Sequence, residues 1–127
     1  MSFDIFLIAS SGTPGSESFE RRVKEALDRA GAASLNGVVH RLHDGSEVDI
    51  YYDAEPSVMF AVYGGRIPAA LPELLFHLAG AMQMFIVPAT DSGEAYRPRG
   101  DFGDPPEDFL TVREVMTADD LAPLLLG

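Results

Sequence analysis

The chain has 127 residues, with 20 Asp and Glu against 9 Lys and Arg, a net charge of -11, and neither cysteine nor tryptophan. That length suits one domain with a core of its own, and the lack of cysteine excludes a disulfide framework, thiolate catalysis and thiolate-bound zinc or iron–sulfur. The acid excess repels phosphate backbones and anionic lipid, so nucleic acid and membrane surfaces are disfavoured partners and a basic protein is a favoured one.

Phe3 to Ala9 is a near-continuous apolar run. Apolar residues at both parities predict a strand covered on both faces, central in its sheet. Asp4 and the absence of a leading basic stretch make the opening a poor signal peptide, and no apolar run reaches the ~20 residues of a membrane span. These features predict a soluble, cytosolic protein, and one lysine against eight arginines, with much Ala and Gly, suits a GC-rich bacterial genome. Ser10 to Ser16, rich in Ser and Gly, is a loop. Phe19, Val23, Ala26, Leu27 and Ala30 then recur at helical spacing and predict a helix over 17–30. Glu20 with Lys24 and Glu25 with Arg29 are candidate i,i+4 pairs.

Asp44-Gly45 between alternating segments predicts a hairpin over 37–53, closed by a two-residue turn. That turn would set His40 opposite Asp49 and place Val39, Val48 and Ile50 on the apolar face. A third strand is expected over 57–63. Pro72 suits the first turn of a second helix ending near Met82, because a first-turn residue has no intrahelical N–H bond to lose. Met84 to Val87 reads as another strand. Residues 89–108 form a long irregular stretch rich in Gly, Pro and acid. A last strand over 110–115 and a short helix, with Thr117 and Asp120 as its cap and Pro123 shortening it, complete the chain. The expected fold is α+β, a single domain over 1–127 with a mixed, mostly antiparallel sheet, in the order β-α-β-β-β-α-β-loop-β-α.

Three segments carry a resemblance: the opening Met1 to Leu7, the acidic hairpin with Asp44-Gly45 and Asp49-Ile50-Tyr51, and the run from Val112 to Leu121. Together they resemble a loose group of small bacterial proteins, some of which have the general look of toxin-neutralising immunity proteins. The resemblance implies no catalytic residue and no cofactor.

Candidate sites are few. Ser11, Gly12, Thr13, Gly15 and Ser16 lie between a strand and a helix, where backbone N–H groups can hold a small anion. Neither the Walker pattern nor G-x-G-x-x-G is present, and an ordinary strand-to-helix turn accounts for the same residues. A pocket there would be completed by Arg66 or Arg97. His40 and Asp49 would form a cross-strand polar pair. Asp44, Glu47, Asp53, Glu55, Asp101, Asp104, Glu107 and Asp108 would form an acidic partner surface. The Asp/Glu spacing does not match a calcium loop, so no metal is expected. His77 reads as an amphipathic boundary residue. The favoured function is a non-catalytic interaction module, immunity- or inhibitor-like; the alternative is a small anionic-ligand-binding domain or minor enzyme using Ser10–Ser16. Apolar residues of the second helix and the Met59/Tyr63 side of the third strand would also allow two copies to pair.

Overall fold

The computed structural model describes residues 2–9, 17–52, 57–63, 67–89, 94–100 and 111–125. Three helices and eight strands follow one another as β1 (Ser2–Ala9), α1 (Glu17–Arg29), β2 (Ala33–Ser34), β3 (Val39–Arg41), β4 (Glu47–Tyr52), β5 (Ser57–Tyr63), α2 (Ala70–Met82), β6 (Met84–Pro88), β7 (Glu94–Pro98), β8 (Thr111–Val115) and α3 (Ala118–Leu125). The α+β expectation holds. Two strands go beyond the expected order: the two-residue β2, and β7, which lies inside the stretch expected to be irregular.

All eight strands form one sheet in the order β2-β3-β4-β5-β1-β6-β7-β8. Every neighbouring pair is antiparallel except β7 with β8. The expected central position of β1 is met, between β5 and β6. Its covering on both faces is not. Ile5, Leu7 and Ala9 are buried, whereas Asp4, Phe6 and Ile8 are only half-buried.

The reason is that the helices gather on one side. Phe19, Val23 and Leu27 of α1, Leu71, Leu75 and Leu78 of α2, and Leu121 and Leu125 of α3 share one core cluster with strand residues such as Ile5, Leu7, Val58, Phe60, Met84 and Ile86. Strand residues of the opposite parity stay outside that cluster, even Ala61, Phe85 and Ala95, which are buried. Side chains alternate across a strand, so a single helix layer covers one parity only. At about 25 cal/mol per Å2 of apolar surface removed from water, this one-sided core is the main stabilising element of the fold.

Local chemistry sets the ends of the elements. Gln83 takes a left-handed conformation, φ 54°, and its N–H reaches the carbonyl of Ala79, so a single residue turns the chain from α2 into β6. Thr117 Oγ1 accepts the Asp120 N–H at 3.2 Å, which is the expected cap of α3. Pro123 sits inside that helix without ending it. The Glu20–Lys24 and Glu25–Arg29 pairs do not close among the described residues, in keeping with the small worth of exposed ion pairs. Among the described residues, no helix is long and apolar enough to cross a membrane.

Candidate functional site

The hairpin of β3 and β4 departs from expectation by one residue, with large consequences. Val39 pairs with Asp49, His40 with Val48 and Arg41 with Glu47. The turn has three residues, His43-Asp44-Gly45: the Leu42 N–H reaches the Ser46 carbonyl at 2.8 Å, and the Gly45 N–H returns to the Leu42 carbonyl at 3.0 Å. A two-residue type I′ turn needs positive φ at both central positions, but here only Gly45, φ 87°, has it. The observed form, a tight turn followed by a left-handed glycine, is the usual three-residue hairpin. Moving the register by one residue exchanges the faces of one strand relative to the other. His40 therefore lies on the core side, 2% exposed, and does not face Asp49. The expected polar pair is replaced by a bond from His40 Nδ1 to the Val38 carbonyl at 2.7 Å.

Two acids of the expected partner surface are engaged within the molecule. Asp44 Oδ1 accepts the Ser46 N–H at 3.0 Å and the Ser46 hydroxyl, while Oδ2 accepts the Ala70 N–H at 3.2 Å. One carboxylate thus closes the hairpin tip and caps the first turn of α2. The Ser46 hydroxyl above all, then the Ser46 N–H, hold its carboxyl below the usual carboxylate range, with the Ala70 N–H and nearby His43 adding to the same direction. Glu47 pairs with Arg41 at 3.2 Å. Asp53, Glu55, Asp101, Asp104, Glu107 and Asp108 lie outside the described residues, as do Ser11, Gly12, Thr13, Gly15, Ser16 and Arg66.

Two more side chains find partners remote in sequence. His43 sits beside Glu73 of α2, with Nε2 and Oε2 3.2 Å apart, a contact spanning thirty positions that no local pattern announces. Arg97 belongs to the β7–β8 edge: its guanidinium lies 3.3 Å from Glu114 and donates to the Gly100 carbonyl at 2.9 Å. On the same two strands Tyr96 donates to Glu94 at 2.7 Å, and Arg113 approaches Glu94 at 3.6 Å. Burial, with the hydrogen bond and charge of Glu94, pushes the Tyr96 phenol up to about 12.

What the strand registers assemble is a patterned surface on the helix-free face. Ala61 pairs with Asp4 on one side and with Asp49 on the other, so two carboxylates flank a small residue in a single cross-strand row. The next row reads Tyr51, Met59, Phe6, Val87. The β6–β7 and β7–β8 registers extend it through Ala95 to Val112, giving an apolar row across six strands, roughly 24 Å at the usual strand spacing. Tyr51 is 41% exposed, and Phe6, Met59, Val87 and Val112 are half-buried. An open cleft of about 420 Å3 is lined by Phe6, Tyr51, Ser57 and Met59, with Gly37 and Val38 at its rim. The Asp4 carboxylate has no hydrogen-bonding or ionic partner among the described residues, and the Asp49 carboxylate has only a long contact from the Tyr51 hydroxyl at 3.4 Å. The sequence showed each of these residues but not the pairing that aligns them.

Among the described residues, no group of three His, Asp or Glu side chains is arranged to hold a metal ion. Comparison with protein-family models, with curated proteins and with solved structures finds no match for this chain.

Proposed function

We propose that the protein is a non-catalytic interaction module whose helix-free sheet face docks a basic protein. The observation that carries this reading is the pairing of a part-exposed apolar row, Tyr51–Met59–Phe6–Val87, with the carboxylates of Asp4 and Asp49 beside it. A Lys or Arg of the partner would place its charged head between the carboxylates above Ala61 and lay its hydrocarbon stem on Met59 and Phe6. The overall charge of -11 adds long-range attraction for such a partner. A second copy of this chain is the poorer occupant, because association through this face would bring like-charged carboxylates together. An immunity- or inhibitor-like role is one concrete form of the reading.

The test begins with a partner purified from the native source and titrated against defined variants. Asp4→Asn/Asp49→Asn is expected to weaken binding at least tenfold and to flatten its salt dependence. Glu20→Gln/Glu25→Gln, on the helix side, should leave the affinity within about twofold. Equal affinity of the Asp4/Asp49 variant and the unaltered chain would overturn the proposal. So would light scattering that shows two copies joined in a complex disrupted by Met59→Lys.

A further inference from the structure

A second site lies on the other side of the sheet, between α1 and the β2–β3 edge. It is a cavity of about 120 Å3 with Lys24, Asp28, Ser34, His40 and Tyr52 among its walls and Leu27 and Ala32 as its apolar floor. Lys24 and Asp28 are one helical turn apart on α1 and stand exposed at its mouth. Ser34 pairs directly with His40, so both side chains are on the same face. The neighbouring Leu35 N–H to Val39 carbonyl bond, 2.8 Å, makes Ser34 and His40 a non-hydrogen-bonded pair, in which side chains approach most closely.

The hydrogen-bonding capacity of these walls is largely fixed. A carbonyl can only accept, so His40 Nδ1 carries the proton donated to Val38. Nε2 of the neutral ring is then an acceptor. It has no partner among the described residues, although none of their fully buried side-chain nitrogen or oxygen atoms lacks one. Nε2 is therefore not fully buried, and with His40 in the cavity wall it is the ring nitrogen left to meet a ligand. Ser34 Oγ accepts the Gly37 N–H at 3.0 Å, which leaves its own proton to donate inward. Burial, then the charges of Glu20 and Asp28, raise the Tyr52 phenol above its ordinary value, so it too remains a donor. The cavity thus offers a buried acceptor and a carboxylate for a cation, and an ammonium and two hydroxyls for an anion.

We infer that this cavity is a binding site for a small zwitterion, an amino acid of glycine or alanine size. The ligand's ammonium would donate to His40 Nε2 and face Asp28. Its carboxylate would face Lys24 and accept from the Ser34 and Tyr52 hydroxyls. At about 120 Å3 the cavity falls well below the ~300–1,000 Å3 of pockets for drug-sized ligands, which suits a small amino acid rather than a nucleotide. The site shares Gly37 and Tyr52 with the cleft of the docking face, but Lys24, Asp28 and His40 line this cavity and not that cleft, so variants at Lys24 and Asp28 are read separately from those at Asp4 and Asp49.

Nuclear magnetic resonance of the full chain tests this directly. Glycine and L-alanine are titrated while the His40 ring and the Leu27 methyl signals are followed, with glycolate and ethylamine as ligands that each carry only one of the two charges. Saturable shifts with glycine or alanine, at least tenfold weaker with either single-charge compound, are the expected result. Lys24→Ala and Asp28→Asn, both at exposed positions, should each weaken binding at least tenfold. Shifts that never saturate, equal response to the single-charge compounds, or unchanged binding in both variants would overturn the inference and leave a cavity holding water only. The comparison among ligands on the unaltered chain stands even if a variant fails to fold.

Discussion

Removing the Asp44 carboxylate loosens the hairpin tip from the start of α2, leaving the His43–Glu73 contact as the other polar link between them. Asp44→Ala loses the acceptor for the Ala70 N–H at the start of α2 and the bonds from Ser46 that close the hairpin tip. Loss of a helix-terminal acceptor costs about 1 kcal/mol. The turn bonds are exposed and water replaces them in part, which adds about 0.5 kcal/mol. A total of about 1.5 kcal/mol corresponds to a fall of roughly 5 °C in Tm for a domain of this size. The carboxyl is held below 3.8 in the folded chain. A depressed folded value means that the unfolded chain binds the proton more readily. The stabilisation is therefore complete above the unfolded value and is lost as pH falls through the folded one. Melting curves of both chains followed by circular dichroism should show the full gap at neutral pH and a narrowing gap below about pH 4. Equal melting temperatures at neutral pH would refute the clasp. A gap that persisted unchanged in strong acid would show that the carboxylate charge is not its source.

Two further outcomes follow from the backbone and the β7–β8 edge. Gly45→Ala meets no atom within 4 Å of its new methyl, so its cost is conformational alone, about 1–2 kcal/mol for a left-handed residue; a melting temperature equal to that of the unaltered chain would argue for a different turn. Tyr96 should ionise only near pH 12, visible as an ultraviolet absorbance step absent from Tyr96→Phe. Because its folded value is raised, the stability it contributes is complete below pH 10 and is lost between pH 10 and about 12, so alkaline unfolding should begin in that window. A Tyr96 step near pH 10 in the folded chain would contradict its burial beside Glu94.

Long periodic segments were readable in the sequence. The apolar spacing from Phe19 to Ala30 and the first-turn position of Pro72 gave α1 and α2 almost to the residue, because core burial and local helix chemistry agree there. The hairpin was legible as a hairpin but not in its register. Asp44-Gly45 suits two turn types, and the one adopted comes with a contact from Asp44 to Ala70, far along the chain, that no local pattern shows. β7 was hidden because Glu94-Ala95-Tyr96-Arg97-Pro98 ends in proline and carries two charges; its strand form comes from pairing with β6 and β8 rather than from intrinsic preference. The apolar row and the carboxylates beside it were invisible for the same reason. Asp4, Asp49 and Ala61 are scattered in sequence and meet only through the registers of three strands. His40 shows the cost of a one-residue error: a residue read as wet is among the most buried polar groups of the molecule.

The central placement of β1 also bears on how the protein is made. Its two hydrogen-bonding neighbours begin at Ser57 and Met84, and at 5–20 residues per second the ribosome needs roughly 4–16 s after Ala9 to deliver all of β6. Until β5 arrives both edges of this apolar strand are bare, and the edge that pairs with β6 stays bare for the whole interval, open to pairing with strands of other nascent chains. Chaperone demand should therefore concentrate on β1, and a slowly translated stretch between β1 and β6 should lower the soluble yield more than one placed after β6.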